Sequence, residues 1–160
     1  MGGMPLMKRT LVLLTVFSAT FLLLGVRAQA AGRNLSGVWK LNFAKSDYGK
    51  FPAPLGMTRK IAHNEPKLML TTTQTGPQGD VASSLMYTTD GKESVNGQSK
   101  GTAQWIGDKL MIESSREFQG VTLKQKEIWT LSADGKTLTV DSHVSIPNGE
   151  FDVKQVFDKQ

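Results

Sequence analysis

Residues 109–132 read KLMIESSREFQGVTLKQKEIWTLS. Two alternating runs flank Gln119-Gly120. In the first, Leu110, Ile112, Ser114, Arg116 and Phe118 share one face, with Glu113 and Glu117 on the other. In the second, Leu123, Gln125, Glu127, Trp129 and Leu131 share a face opposite Lys124 and Lys126. A period of two marks a half-buried strand, because successive side chains of extended chain point to opposite sides. Two such runs joined by a short glycine-containing link form an antiparallel hairpin.

The same rhythm runs outward in both directions. Strands are predicted at 35–43, 57–63, 67–75, 81–89, 94–98, 101–106, 109–118, 121–132, 136–146 and 150–158. Asp90-Gly91, Asn96-Gly97, Gly107-Asp108, Asp134-Gly135 and Pro147-Asn148-Gly149 supply turn chemistry between them, since these pairs tolerate the positive φ of tight hairpins. No segment after residue 30 shows a sustained 3.6-residue apolar period. The expected fold is all-β, an antiparallel up-and-down β-barrel of about 8–10 strands, because closure protects the edges of so long a meander. One link is longer: residues 44–56 carry two prolines, two glycines and two aromatics. That segment is either an ordered crossover or a flap over a barrel mouth.

The chain has 160 residues, of which 39% are hydrophobic and 21% charged. A packed core is feasible, and the length suits one domain plus a targeting segment. Residues 1–30 read as a secretory signal peptide: Lys8 and Arg9 precede the apolar run Leu11–Leu24, and Ala28-Gln29-Ala30 follows as a small-x-small cleavage site. The apolar run is shorter than the roughly 20 residues a membrane helix needs. The expectation is export to the periplasm or the medium, no integral membrane span after cleavage, and a single domain over 31–160. Of 19 basic residues, Lys8, Arg9 and Arg27 leave with the leader, so 16 oppose 14 acids. That small excess forms no basic cluster, so no nucleic-acid partner is expected. There are no cysteines, which excludes disulfides, thiolate metal sites, cysteine nucleophiles and a lipidated N-terminal cysteine.

Leu35-Ser36-Gly37-Val38-Trp39-Lys40-Leu41 opens the first strand. This Gly-x-Trp followed by Lys-Leu resembles the N-terminal signature of lipocalins and their calycin relatives, including the intracellular fatty-acid-binding proteins. With the stretches 41–47 and 129–140, the chain resembles small exported bacterial lipocalin-like proteins. The resemblance implies a barrel closed at one end by Trp39, with Gly37 and Trp129 in that closure. Fatty-acid-binding proteins place two short helices between their first two strands; here the proline-bearing segment 44–56 makes a poor helical pair.

Face parity nominates the interior. Besides the two rows above, Met57, Arg59, Ile61 and His63 share a face, as do Val81, Ser83, Leu85 and Tyr87, and Leu138, Val140, Ser142, Val144 and Ile146. Several rows pass from apolar to polar along the strand. A charge on an inward face must pair or meet water or ligand. The expectation is a cavity with an apolar floor and a polar upper part, whose ligand contacts come from Arg116, Glu127, Tyr87, Trp105, Arg59 and His63. In this reading Arg116 orients a polar ligand head and Glu127 positions Arg116. The bland counterpart is a structural Arg116–Glu127 pair in a filled interior.

No catalytic signature accompanies this pattern. His63 and His143 are isolated, which makes no metal motif. The serine pairs lack a nucleophile-elbow context, and Glu127 lies on the opposite face from Glu113 and Asp141. The expected function is non-catalytic binding of a small hydrophobic or amphipathic molecule, with no cofactor. The alternative is a structural or interaction module with a filled barrel and a protein partner in the cell envelope.

Overall fold

The structure, a computed structural model, describes residues 34–160. The signal peptide read at residues 1–30 lies outside the described residues. Ten strands follow one another: β1 Gly37–Leu41, β2 Gly56–Asn64, β3 Lys67–Gly76, β4 Gly79–Thr88, β5 Asp90–Asn96, β6 Ser99–Ile106, β7 Lys109–Phe118, β8 Val121–Leu131, β9 Thr137–Ile146 and β10 Gly149–Lys159. All pair antiparallel in a single sheet of order β4-β3-β2-β1-β10-β9-β8-β7-β6-β5. Every chain neighbour pairs except β4 with β5, and the first strand pairs with the last. The result is the predicted up-and-down barrel, nearly closed, with a seam between β4 and β5.

The period-two pattern accounts for the strands because each alternation buries one face. Along β9 the sequence TLTVDSHVSI alternates half-exposed or exposed residues with the buried Leu138, Val140, Ser142 and Val144. The β7–β8 hairpin pairs Leu110 with Trp129 and Ile112 with Glu127, so the rows that define the fold in the sequence face one interior. One predicted turn is different. Asp90-Gly91 opens β5 instead of linking two strands, and the register against β6 shifts between Asp90 and Glu93. Gly91, at φ +80°, takes up this bulge.

The core is asymmetric along the barrel axis. Leu35, Trp39, Leu68, Tyr87, Leu110, Trp129, Leu138, Val140 and Phe157 are buried together. They gather at the end where Asn34–Ser36 enters β1, and they fill it. Burial of four large aromatic rings makes this end the main source of cohesion. Trp39 is wholly buried, and its Nε1 donates to the Leu35 carbonyl at 2.9 Å. The Lys159 ammonium lies 5.2 Å from its ring centroid. Gly37 has φ +146°, a conformation that favours glycine.

At the other end the same inward rows become exposed. Val81, on the row of Tyr87, is 70% exposed, and Arg116, on the row of Leu110, is exposed. Residues 42–55 cross part of this end. A 3-10 turn at Phe43–Lys45 is their only helix, where fatty-acid-binding proteins have a helical pair. Asp47 bridges to Lys154 of β10, the Phe51 and Phe151 rings stand 3.9 Å apart, and the Leu55 N–H donates to the Thr75 carbonyl of β3 at 3.0 Å. The segment thus spans from β10 to β3, tied at both sides.

Candidate functional site

Beneath that segment lies a cavity of about 210 Å³. Tyr48, Pro52 and Pro54 form its roof, and Arg59, Gln125 and Gln155 are among its walls. Each wall residue comes from an inward position of a different strand: Arg59 from β2, Gln125 from β8, Gln155 from β10.

Arg59 is the centre of this site. Its side chain is 8% exposed. Nη2 donates to Gln155 Oε1 at 3.0 Å and lies 3.8 Å from Glu127 Oε1. The guanidinium carbon sits 4.8 Å from the Phe157 ring centroid and 5.3 Å from that of Trp129, which places a cation over two aromatic faces. Among the described residues, Nε and Nη1 find no hydrogen-bond partner. Burial pushes the Arg59 pKa below its ordinary value, and the Glu127 charge opposes that shift. Arginine retains its proton under such shifts.

Glu127 is held by neutral donors. Gln125 Nε2 donates to Oε1 at 2.9 Å, Ser142 Oγ to Oε1 at 3.4 Å, and Trp129 Nε1 to Oε2 at 3.0 Å. Gln155 in turn donates through Nε2 to the Tyr48 hydroxyl at 2.9 Å, linking the crossing segment to the network. Tyr87 completes it: burial and the Glu127 charge push its pKa up to about 12, against a hydrogen bond with Ser114 and the Arg59 charge. The phenol is therefore neutral at ordinary pH and serves as a hydrogen-bonding group.

The six predicted ligand contacts separate into three places. Arg59, Glu127 and Tyr87 converge inside the barrel. His63 and Trp105 lie near the filled end, around Glu65 at the β2–β3 turn. There His63 Nδ1 accepts from the Leu35 N–H at 3.3 Å, so the neutral ring carries its proton on Nε2, which donates to Glu65 Oε1 at 2.9 Å. Trp105 Nε1 donates to the same oxygen at 2.6 Å, and the Thr89 hydroxyl donates to Oε2. Arg116 is third, on the rim of the open end. The ion pair expected between Arg116 and Glu127 is formed instead by Arg59 and Glu127. Arg116 faces Leu123 in the ladder, four residues from Glu127, a spacing of about 13 Å along a strand. Gly37, Trp39 and Trp129 occupy the filled end and its border.

Gln125, Ser142, Gln155 and Tyr48 also belong to the site. Parity places Gln125, Ser142 and Gln155 on inward faces, as polar groups that must pair or meet ligand, although they are not among the six predicted contacts. Tyr48 carried no such signal, because it lies in an irregular segment.

No protein-family model matches the chain, and no curated protein matches it. Solved structures do. The zebrafish ileal bile acid-binding protein complexed with cholic acid is 21% identical, with a TM-score of 0.52, covering 78% of this chain and 98% of that one. The fluorescent protein UnaG is 14% identical, with a TM-score of 0.53, over 78% and 94%. A secretory abundant heat soluble protein from Ramazzottius varieornatus is 11% identical, with a TM-score of 0.53, over 78% and 94%. At these identities the likeness is one of fold: a ten-stranded barrel of the lipocalin and calycin type. Among the described residues, no helix is long and apolar enough to cross a membrane.

Proposed function

We propose that this chain is an exported, non-catalytic carrier that holds a small, mostly apolar molecule with a polar head inside the barrel. The observation that carries the reading is Arg59: a buried guanidinium on a cavity wall with two donors unused. Buried donors are nearly always satisfied, and an unmade hydrogen bond costs about 1–3 kcal/mol. Both atoms are sealed from solvent, so a ligand oxygen becomes their partner when the side chain turns toward the cavity that Arg59 lines. Gln155 assists from the cavity wall, and Glu127 holds the guanidinium. Residues 44–56 act as the flap, and Trp39 seals the far end. A structural neighbour that holds cholic acid is consistent with a barrel used for binding. Residues 1–30 direct the protein to the periplasm or the medium.

The second reading, a filled module that engages an envelope protein, draws on the size of the cavity. About 210 Å³ is below the roughly 300–1,000 Å³ of most small-molecule sites, so an occupant must be small or must displace the flap. Organic extraction and mass spectrometry of the protein, purified after export without denaturation, decides between them. A stoichiometric small molecule supports the carrier. An empty protein that also takes up no amphipathic probe favours the module.

A further inference from the structure

The charge of the interior points to a narrower class of ligand, and this step rests on the carrier reading. We infer that the barrel selects a molecule whose head is uncharged, a carbonyl or hydroxyl oxygen, and discriminates against the corresponding carboxylate, with Glu127 as the specificity-determining residue.

The argument is electrostatic. Arg59 brings one positive charge into the cavity wall, and Glu127 cancels it from 3.8 Å away. Glu127 is not offering itself to a ligand: Gln125, Ser142 and Trp129 already donate to its oxygens. Besides Arg59, the polar lining is amide and hydroxyl: Gln74, Gln125, Gln155, Ser142 and Tyr48, and Tyr87 in the adjoining network is neutral. A carboxylate placed beside Arg59 would leave two buried anions against one cation. It would lose its own hydration and meet repulsion from Glu127, and like-charge juxtaposition in a desolvated site is strongly unfavourable. A carbonyl or hydroxyl oxygen in the same place adds no charge. The site is thus a charge-neutral cradle, which matches an amide, ester, ketone or alcohol of amphipathic shape. The surrounding glutamines and hydroxyls can bond either way to such a head.

Decanamide and decanoate are near-isosteric probes of this difference. Their affinities for the exported protein at pH 7.5, read by calorimetry or intrinsic tryptophan fluorescence, should differ by at least about tenfold in favour of the amide. Lowering the pH through the pKa of the free acid should bring decanoic acid up to the affinity of the amide, because the neutral acid then binds. Glu127→Gln should shift the ratio of decanoate to decanamide affinity by about tenfold toward decanoate. The comparison in the unmodified protein stands even if that variant folds poorly. Decanoate binding as tightly as decanamide at pH 7.5 would overturn the inference while leaving the carrier intact. Binding of neither probe would overturn the carrier reading, and the inference with it.

Discussion

Asn96 of β5 brackets the backbone of Met86 on β4. Its Oδ1 accepts from the Met86 N–H at 2.8 Å, and its Nδ2 donates to the Met86 carbonyl at 3.0 Å. These are the strands at the two ends of the sheet, and no backbone ladder joins them. A single side-chain amide therefore imitates one rung of the missing ladder and helps close the barrel.

Removing it should loosen the seam. Asn96→Ala loses two hydrogen bonds at an exposed site, where water can replace them, so the expected cost is about 1 kcal/mol. Amide exchange at Met86 should quicken while that at Trp129, far from the seam, should not. Asn96→Asp keeps the acceptor and loses the donor, and should fall between. Urea denaturation with site-resolved exchange checks this; equal exchange at Met86 in all three proteins would rule out the clasp.

The Arg59–Glu127 pair should respond asymmetrically. Glu127→Ala strands a buried guanidinium whose one hydrogen bond is to Gln155, and removing one partner of a buried ion pair costs roughly 3–5 kcal/mol. Arg59→Met keeps an aliphatic stem between Trp129 and Phe157 and leaves Glu127 with its three neutral donors. Its cost should be clearly smaller. Denaturation midpoints of the two variants and of the double variant give the coupling, and the double variant should be less destabilised than the sum of the singles. An additive double variant would sink the idea that these charges compensate each other.

Much of this architecture is legible in the chain itself. Alternation is a local property, and Leu110, Trp129, Leu138 and Phe157 declare their inward faces by position alone. What alternation cannot give is distance along and across the barrel. Arg116 and Arg59 both sit on inward rows, yet one is at the rim and the other faces Glu127 across the lumen. β2 and β8 are not neighbours in the sheet, so no hairpin register brings Arg59 and Glu127 together. Their pairing follows from curvature and closure, which depend on every strand at once. The Asp90-Gly91 bulge is illegible for a similar reason. The same dipeptide serves a hairpin or a bulge, and only the neighbouring strand decides which.

Acid should weaken the filled end through Glu65. Burial acts to raise its pKa, but hydrogen bonds from Thr89, Trp105 and His63 together hold it below its ordinary value of 4.5. A carboxyl with a depressed folded-state pKa contributes stability above its unfolded value, and that contribution is lost as pH falls through the folded one. The advantage of the unmodified protein over Glu65→Gln should therefore be constant above about pH 6 and shrink as pH drops below 4.5. Urea midpoints of both proteins between pH 3 and 7 test the sign; a difference that grows toward low pH contradicts it.

Gly101 of β6 separates the two reasons for glycine in this fold. A Cβ there would meet the Glu113 carbonyl oxygen at 2.5 Å and Ser114 Cβ at 2.9 Å. The nearest atom is backbone of the adjacent strand β7, which cannot swing aside as a long side chain could. Gly101→Ala should cost about 1–3 kcal/mol by overpacking. Ser114 is the hydrogen-bonding neighbour of Tyr87, so displacement of β7 should also disturb the interior network. Gly97 is the control: a Cβ there meets nothing within 4 Å, and its φ of +61° is the only obstacle. Gly97→Ala should cost about 1 kcal/mol and leave the interior as it is. The readout that distinguishes them is the Tyr87 ionisation seen by ultraviolet titration. It should shift upward in Gly101→Ala, because the Ser114 hydrogen bond that opposes the rise is disturbed, and stay unchanged in Gly97→Ala. Equal stability losses with unshifted titrations in both variants would mean that the close approach of β6 to β7 does not support the site.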